Sequence, residues 1–214
     1  MKNYTIGYVD HDQAVHQRQL GPSIAALRGQ FDVLSTNSDK CPATNYNTML
    51  GLCTTPYLIL THQDVTFSPD LLECIDRTIA AVPDFGALGM VGVDKQHQYH
   101  WSTPQRIATL DTADCCFLVL RKDLGARFDD VTFDELHQYV EDYCGQVNRI
   151  YGKLCHTILI QAAQLSASMQ YPGDVGYGFL RHHGFTWNQR GSCWGKWPEY
   201  RRRLEAKWPG LKTT

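Results

Sequence analysis

The sequence predicts an α/β domain in which a mostly parallel central sheet is flanked by helices. Short apolar runs alternate with segments of helical spacing through the first half of the chain, as in strands joined by helical crossovers. The 214 residues also suffice for one core of ordinary size but are few for two domains. We therefore expect a single domain over residues 1–214, with a basic and aromatic C-terminal tail at about 197–214.

Apolar spacing and turn residues place the elements of the first half. Strands are expected at residues 4–9, 31–35, 57–61 and 87–93, and helices at 22–28 and 45–53. A further helix should follow Ser68, its expected N-cap, because Pro69 suits the first helical position. This helix must end before Pro83, since proline breaks a helix interior. Strand and helix thus alternate, as the fold class requires.

The second half is less regular. Residues 94–112 are polar and are expected to be irregular, whereas 115–120 should form a buried strand and 158–165 a late one. Apolar residues at helical spacing over 134–151 predict the longest helix of the chain, which should end at Gly152.

Composition excludes several classes of protein. Twenty Lys and Arg against 22 Asp and Glu give a formal charge of −2, which excludes a protein held to nucleic acid by bulk charge. No apolar run approaches the roughly 18 residues of a membrane helix. The eight cysteines contain no C-x-x-C pair, so reduced thiols are expected. We expect a soluble, unexported, cytoplasmic protein.

Polar residues at two strand exits are the first candidates for a functional site. Ligands of open α/β sheets bind beyond the carboxyl ends of the strands, and residues 62–64 (HQD) follow the strand at 57–61 directly. Asp64 is a candidate ligand of a hard divalent cation shared with substrate phosphates, or a turn carboxylate that caps a backbone amide. Asp10 and Asp12 follow the first strand in the same way, and they contact a ligand or belong to an ordinary polar loop.

The long helix and the C-terminal region carry further candidates. Glu141 and Asp142 lie on the helix, where a carboxylate that projects into a cleft can act as a general base; the alternative is a solvated helix face. His182 and His183 follow an apolar run, and one of the two imidazoles could bind a metal. Lys196 could hold phosphate oxygens or remain solvated.

Six short segments of the chain carry a resemblance to a known family. They are ATNYN (43–47), PYLILTHQDV (56–65), DTAD (111–114), RFDD (127–130), LHQYVEDYC (136–144) and HHG (182–184). In this order and spacing they resemble a family-2-like glycosyltransferase of the GT-A fold, in particular its small bacterial branch of StrF-like proteins. The resemblance covers about residues 4–200 and implies a single GT-A, Rossmann-like domain.

The resemblance implies a metal and diphosphate site. The triplet 62–64 takes the place of the family's D-x-D motif, with Asp64 as the metal and diphosphate carboxylate and His62 where an aspartate is usual. His182 matches the late metal-binding or diphosphate-binding histidine, with His183 as the second choice. The implied cofactor is Mn²⁺ or Mg²⁺.

The resemblance also implies the residues around the two substrates. Asp142, beside Glu141, takes the position of the catalytic base. Asp10 lies where the family contacts the nucleotide base, and Asn47 lies in the segment that flanks it. Asp114 lies near the acceptor and the donor sugar.

These roles imply a metal-dependent, inverting transfer of a sugar from a nucleoside-diphosphate sugar, with UDP favoured, to an acceptor hydroxyl. The acceptor is a glycan or a small molecule; the cations and aromatic residues of the tail also leave a hydroxylated DNA base as an acceptor. A metal-dependent phosphoester hydrolase and a non-catalytic sugar-nucleotide-binding module are the alternatives. The hydrolase explains the His and Asp residues at strand exits but gives Asp142 no role.

Overall fold

The computed structural model describes residues 2–37, 40–135, 137–160, 175–176, 180–182 and 196–213. Its strands are β1 (Tyr4–Asp10), β2 (Phe31–Asn37), β3 (Tyr57–Thr61), β4 (Val65–Phe67), β5 (Phe85–Gly89), β6 (Val91–Val93), β7 (Tyr99–Trp101), β8 (Thr109–Leu110), β9 (Thr112–Ala113), β10 (Phe117–Arg121), β11 (Leu154–Thr157), β12 (Val175–Gly176) and β13 (Leu180–His182). Its helices are α1 (Gln13–Arg18), α2 (Leu20–Ala26), α3 (Pro42–Leu52), α4 (Leu71–Ala81), α5 (Tyr139–Arg149) and α6 (Trp197–Lys207).

Seven strands form the central sheet in the order β2-β1-β3-β10-β5-β11-β8. Strands β1, β2 and β3 run parallel to one another, and β5 runs parallel to β11. Because β10 is antiparallel to both β3 and β5, these five strands share one direction. The sheet is therefore mostly parallel, as the sequence predicts. Two further sheets of three strands, β12-β13-β4 and β7-β6-β9, complete the fold.

Alternate residues of the central strands face two apolar layers, because side chains of a strand point to opposite faces. Leu58 and Leu60 of β3 pack in the layer with α3, α5 and α6, and Ile59 packs in the layer with α4. All three side chains are fully buried. This burial on both faces explains why the strands appear in the sequence as continuous apolar runs.

Element boundaries near the first two helical regions differ from the sequence-based expectations. The helix expected at 22–28 lies at α2, and α1 precedes it. Asp12 is the N-cap of α1, since its carboxylate accepts hydrogen bonds from the backbone N–H groups of Ala14 and Val15 at 3.0 and 3.1 Å. Ser68 is not the N-cap of α4: its hydroxyl contacts the Asp70 carboxylate, and the helix begins at Leu71.

The apolar stretch 87–93 divides between two sheets and is not the single strand expected. Strand β5 ends at Gly89, and β6 pairs with β9 in another sheet. A Cβ at Gly92 would lie 2.2 Å from the Thr112 carbonyl oxygen, so glycine is needed where the two backbones approach.

Helix α5 is shorter than the helix expected over 134–151. It has 11 residues, as do α3, α4 and α6, so these four are equally long and none of the described helices exceeds them. Gln138 has a left-handed φ of 63°, which prevents the helix from extending back through it. The helix ends at Arg149, before Gly152, whose φ is also 63°.

The late strand begins earlier than expected. Strand β11 occupies 154–157, whereas the expected strand was 158–165, of which residues 161–165 lie outside the described residues. The seven cysteines in the described part of the chain are free thiols. No helix within the described ranges is long and apolar enough to cross a bilayer.

Candidate active site at the carboxyl edge of the sheet

Three chain segments meet where the parallel strands end. Residues 10–12 begin at the last residue of β1, residues 62–64 follow β3, and residues 114–116 precede β10. Because β10 is antiparallel to β3, with Phe117 opposite Thr61, its start lies beside the end of β3. We call these three segments the carboxyl edge.

The triplet that follows β3 connects the other two segments. The backbone N–H of His62 donates to the Cys116 carbonyl oxygen at 3.1 Å. The Gln63 side-chain oxygen accepts hydrogen bonds from the N–H groups of His11 and Asp12 at 2.9 and 3.2 Å. Gln63 is 1% exposed, so this connection is internal. The sequence does not predict this role for Gln63, because a single glutamine between two candidate ligands belongs to no recognisable motif.

Asp10 and Asp114 complete the polar groups of the carboxyl edge. Oδ1 of Asp10 is buried and has no hydrogen-bond partner among the described residues. Oδ1 of Asp114 accepts the N–H of Cys116 at 2.9 Å. Neither carboxylate forms an ion pair within the described part of the chain. Asp10, Asp64 and Asp114 thus lie on segments that meet at one edge of the sheet, and their roles in ligand binding stay a prediction.

The backbone of residue 182 also reaches this edge. Strand β13 pairs antiparallel with β4, and in this register His182 lies opposite Val65, the residue after Asp64. Residues far apart in the sequence therefore become neighbours in a sheet. His183 lies outside the described residues.

The described residues offer two ligands for a divalent cation. His62 Nδ1 and Asp64 Oδ1 are 4.0 Å apart, which is within twice the ligand distance of about 2.1 Å that Mg²⁺ requires. No group of three His, Cys, Asp or Glu residues that could hold a metal occurs among the described residues. Mg²⁺ is commonly held by one or two carboxylates together with substrate phosphates. The residues present therefore fit a metal that is shared with a diphosphate.

Glu141 lies near the carboxyl edge on the first turn of α5. Its carboxylate is close enough to Cys115 that its charge, after burial and the charge of Asp114, raises the pKa of that thiol well above its usual value. The residue is only 8% exposed. Glu141 is therefore a charged neighbour of the segment 114–116.

Asp142 lies on the same turn in different surroundings. It is fully buried, and its Oδ1 is 2.7 Å from both Trp208 Nε1 and Lys207 Nζ. Its Oδ2 accepts a hydrogen bond from the Gln146 amide at 2.8 Å. Three donors thus occupy the carboxylate that the sequence proposes as the catalytic base.

Asn47 and Lys196 make contacts away from the carboxyl edge. The Asn47 amide donates to the Phe128 carbonyl at 2.9 Å and accepts from the Phe128 N–H at 3.0 Å, so it fastens the segment after β10 to α3. Lys196 is exposed and forms an ion pair with Glu135. These contacts of Asn47 and Lys196 lie outside the carboxyl edge, and their place at the nucleotide site stays a prediction.

Most cations of the C-terminal tail are engaged within the fold. The pairs formed are Arg201 with Glu205, Arg203 with Glu199 and Asp134, and Lys207 with Asp129 and Asp142. These cations have protein partners, which weakens the case for an anionic macromolecule on this surface.

Solved structures share this architecture at low sequence identity. S. aureus TarS (1–349) matches with a TM-score of 0.54 and 12% identity, over 76% of this chain and 59% of that one. GalNAc-T7, solved with UDP, GalNAc and Mn²⁺, matches with a TM-score of 0.55 and 7% identity, over 74% and 43%. The mannosyltransferase PcManGT from Pyrobaculum calidifontis, solved with GDP-Man and Mn²⁺, matches with a TM-score of 0.53 and 11% identity, over 75% and 57%. The chain has the GT-A fold.

The GT-A fold is what these comparisons establish for this chain, because identities of 7–12% do not carry activity from one protein to another. The chain spans at most 59% of the length of these GT-A structures. No protein-family model matches the sequence, and no curated protein does.

Proposed function

We propose that the protein transfers a sugar from a nucleoside-diphosphate sugar to an acceptor hydroxyl. The observation that carries this proposal is that the segments with Asp10, Asp64 and Asp114 meet at the carboxyl edge of a GT-A sheet, with the backbone of residue 182 beside them. Three neighbours in fold are glycosyltransferases, and two of them were solved with a nucleotide and Mn²⁺. The finer likeness to the small StrF-like branch belongs to the same proposal.

In this proposal the donor diphosphate binds at the triplet 62–64. Asp64 and His62 would hold Mn²⁺ or Mg²⁺, with His182 as a further candidate from the adjacent strand. Such an ion, when bound, neutralises charge on a departing diphosphate. Gln63 holds the β1 exit against the triplet, so Asp10 is positioned beside the diphosphate site, where it can contact the nucleotide. UDP is the nucleotide we favour.

We place the general base at Glu141 and not at Asp142, the residue that the sequence suggests. A base needs a lone pair directed at the acceptor proton. Both oxygens of Asp142 already accept from protein donors, and the side chain is fully buried. Glu141 takes the hydroxyl proton while the acceptor oxygen attacks the anomeric carbon, and the bond from that carbon to the diphosphate breaks so that the nucleoside diphosphate leaves. No protein nucleophile is required. An inverting outcome is part of this proposal.

The acceptor is proposed to be a glycan or a small hydroxylated molecule. A hydroxylated DNA base is less favoured, because three of the tail cations that would meet phosphates, Arg201, Arg203 and Lys207, are engaged in intramolecular ion pairs.

Thermal unfolding with UDP, GDP, CDP and dTDP, each with and without Mn²⁺, tests the proposal. A ligand that binds the folded state alone raises the melting temperature by mass action. We expect one nucleotide to stabilise the protein, and more so with Mn²⁺. Stabilisation without turnover of any sugar nucleotide supports the binding module, whereas hydrolysis of simple phosphate esters without nucleotide binding supports the hydrolase.

A further inference from the structure

A cluster of charged groups joins the C-terminal helix to α5. Lys207, the last residue of α6, has its ammonium 2.7 Å from Asp129 Oδ2 and 2.7 Å from Asp142 Oδ1. The indole N–H of Trp208 donates to the same Asp142 oxygen at 2.7 Å. We call Asp129, Asp142, Lys207 and Trp208 the α5–α6 clamp.

One ammonium pairs with both carboxylates of the clamp. Asp142 is fully buried, and an ionised carboxylate is costly to bury without a partner. Lys207 supplies that partner and at the same time binds Asp129, whose carboxylate also accepts the backbone N–H groups of Val131 and Thr132. Movement of α6 would therefore leave a buried charge unpaired.

A close contact fixes the position of the indole on the helix. A Cβ at Gly145 would lie 2.9 Å from the Trp208 ring, so the absence of a side chain there allows the ring to lie directly against α5. The ring and the ammonium thus contact the helix at two points, Gly145 and Asp142, which are three residues apart and share a face.

Fixing Asp142 also fixes Glu141, because the two residues are consecutive on one helical turn. A rotation of α5 about its axis would carry both side chains, and Glu141 would turn away from Cys115 at the carboxyl edge. We propose that Lys207 and Trp208 are positioning residues that hold Glu141 toward the acceptor. This inference rests on the proposed function.

The test compares Lys207→Met, Lys207→Arg and Trp208→Phe, with Arg202→Met as the matched control. Arg202 lies on α6 and is exposed, and its Nε donates a hydrogen bond to the Pro198 carbonyl oxygen of the same helix. The substrate is the sugar nucleotide whose nucleoside diphosphate raises the melting temperature of the wild type. Its hydrolysis gives kcat and KM, which are measured well below each variant's melting temperature. Hydrogen exchange of the α5 amides is followed in parallel.

We expect Lys207→Met to lower kcat about 10- to 100-fold with KM changed less than about twofold, because misplacing a catalytic group by about 1 Å has an effect of this size. The α5 amides should exchange faster. Lys207→Arg should recover most of kcat, Trp208→Phe should have an intermediate effect, and Arg202→Met should equal the wild type.

Unchanged kcat in folded Lys207→Met, or a fall in kcat with unchanged α5 exchange, overturns the inference. If Lys207→Met does not fold, Trp208→Phe decides, since it removes the N–H donor and keeps a ring against Gly145. If the wild type itself neither binds nor hydrolyses any sugar nucleotide, the proposed function fails and the inference falls with it. That outcome is visible before any variant is compared.

Discussion

The carboxyl edge and the α5–α6 clamp both contain buried carboxylates, but they differ in what surrounds them. In the clamp, Asp142 accepts from three side-chain donors, and one ammonium joins it to Asp129. At the carboxyl edge, Asp114 binds a backbone N–H, and one oxygen of Asp10 has no partner among the described residues. Carboxylates with complete sets of donors stabilise a fold, whereas those with incomplete sets indicate where a ligand supplies the remaining donors.

The largest expected effect is on turnover, and it distinguishes variants of the neighbouring residues Glu141 and Asp142. Glu141→Gln should lower turnover by about 10²- to 10⁴-fold, the usual contribution of a general base, with nucleotide binding unchanged. Asp142→Asn should lower the melting temperature, because it weakens the pairing with Lys207, and should lower turnover less than Glu141→Gln does. Turnover and nucleotide binding of both variants are measured by product assay and calorimetry. The opposite result, with Asp142→Asn inactive at full stability, would restore Asp142 as the base.

A smaller effect is expected at the triplet of the carboxyl edge. Asp64→Asn should weaken nucleotide binding about 10- to 100-fold in the presence of Mn²⁺ and change it little without metal, because the lost ligand acts through the ion. Titration calorimetry with and without Mn²⁺ measures both affinities. Asp94→Asn, which alters a carboxylate paired with His100, serves as the control. An unchanged metal dependence in Asp64→Asn would move the ligand to Asp10 or Asp12.

The clamp should make stability depend on pH in the acidic range. Burial opposes ionisation of Asp129, but hydrogen bonds from Lys207 and Thr132 outweigh it and lower the pKa from 3.8 to about 2. A lowered folded-state pKa stabilises the fold above the unfolded value, and this contribution is lost as the pH falls from about 4 to about 2. Unfolding by urea across this range should show a weaker pH dependence in Asp129→Asn than in the wild type. If the free energy of unfolding depends equally on pH in the two proteins, this contribution is excluded.

The smallest expected effect concerns Asn47. Asn47→Ala removes two hydrogen bonds to the Phe128 backbone and should lower the free energy of unfolding by about 1–2 kcal/mol. Nucleotide affinity should not change, because the amide is already bound to the loop. A loss of affinity at unchanged stability would return Asn47 to the nucleotide site, where the sequence resemblance puts it.

The sequence predicts the central strands well because their burial on both faces leaves continuous apolar runs. Strand β3 is confirmed at 57–61 without a change of boundary. Strands β7, β8 and β9 have only two or three residues, which is too short for a periodic pattern, and their region was expected to be irregular. The boundary of α5 depends on the left-handed backbone of Gln138, and glutamine gives no sign of that conformation in the sequence.

The two regions of the site also differ in how far the sequence predicts them. The carboxyl edge follows from strand order alone, since polar residues after parallel strands must meet. The clamp does not, because Trp208 is 66 positions from Asp142 and a C-terminal lysine is usually solvated. The sequence therefore suggests both carboxylates of α5 as candidates, but it gives no information on the contacts that Lys207 and Trp208 make with Asp142.

Gly145 affects how stability can be engineered in this protein. Glycine inside a helix is usually replaced by alanine to gain about 1 kcal/mol of helix propensity, and on that criterion Gly145 is an obvious candidate. In this fold the added methyl group would meet the indole of Trp208 at 2.9 Å and displace it from α5. A substitution chosen for the helix alone would therefore loosen the docking of the C-terminal segment.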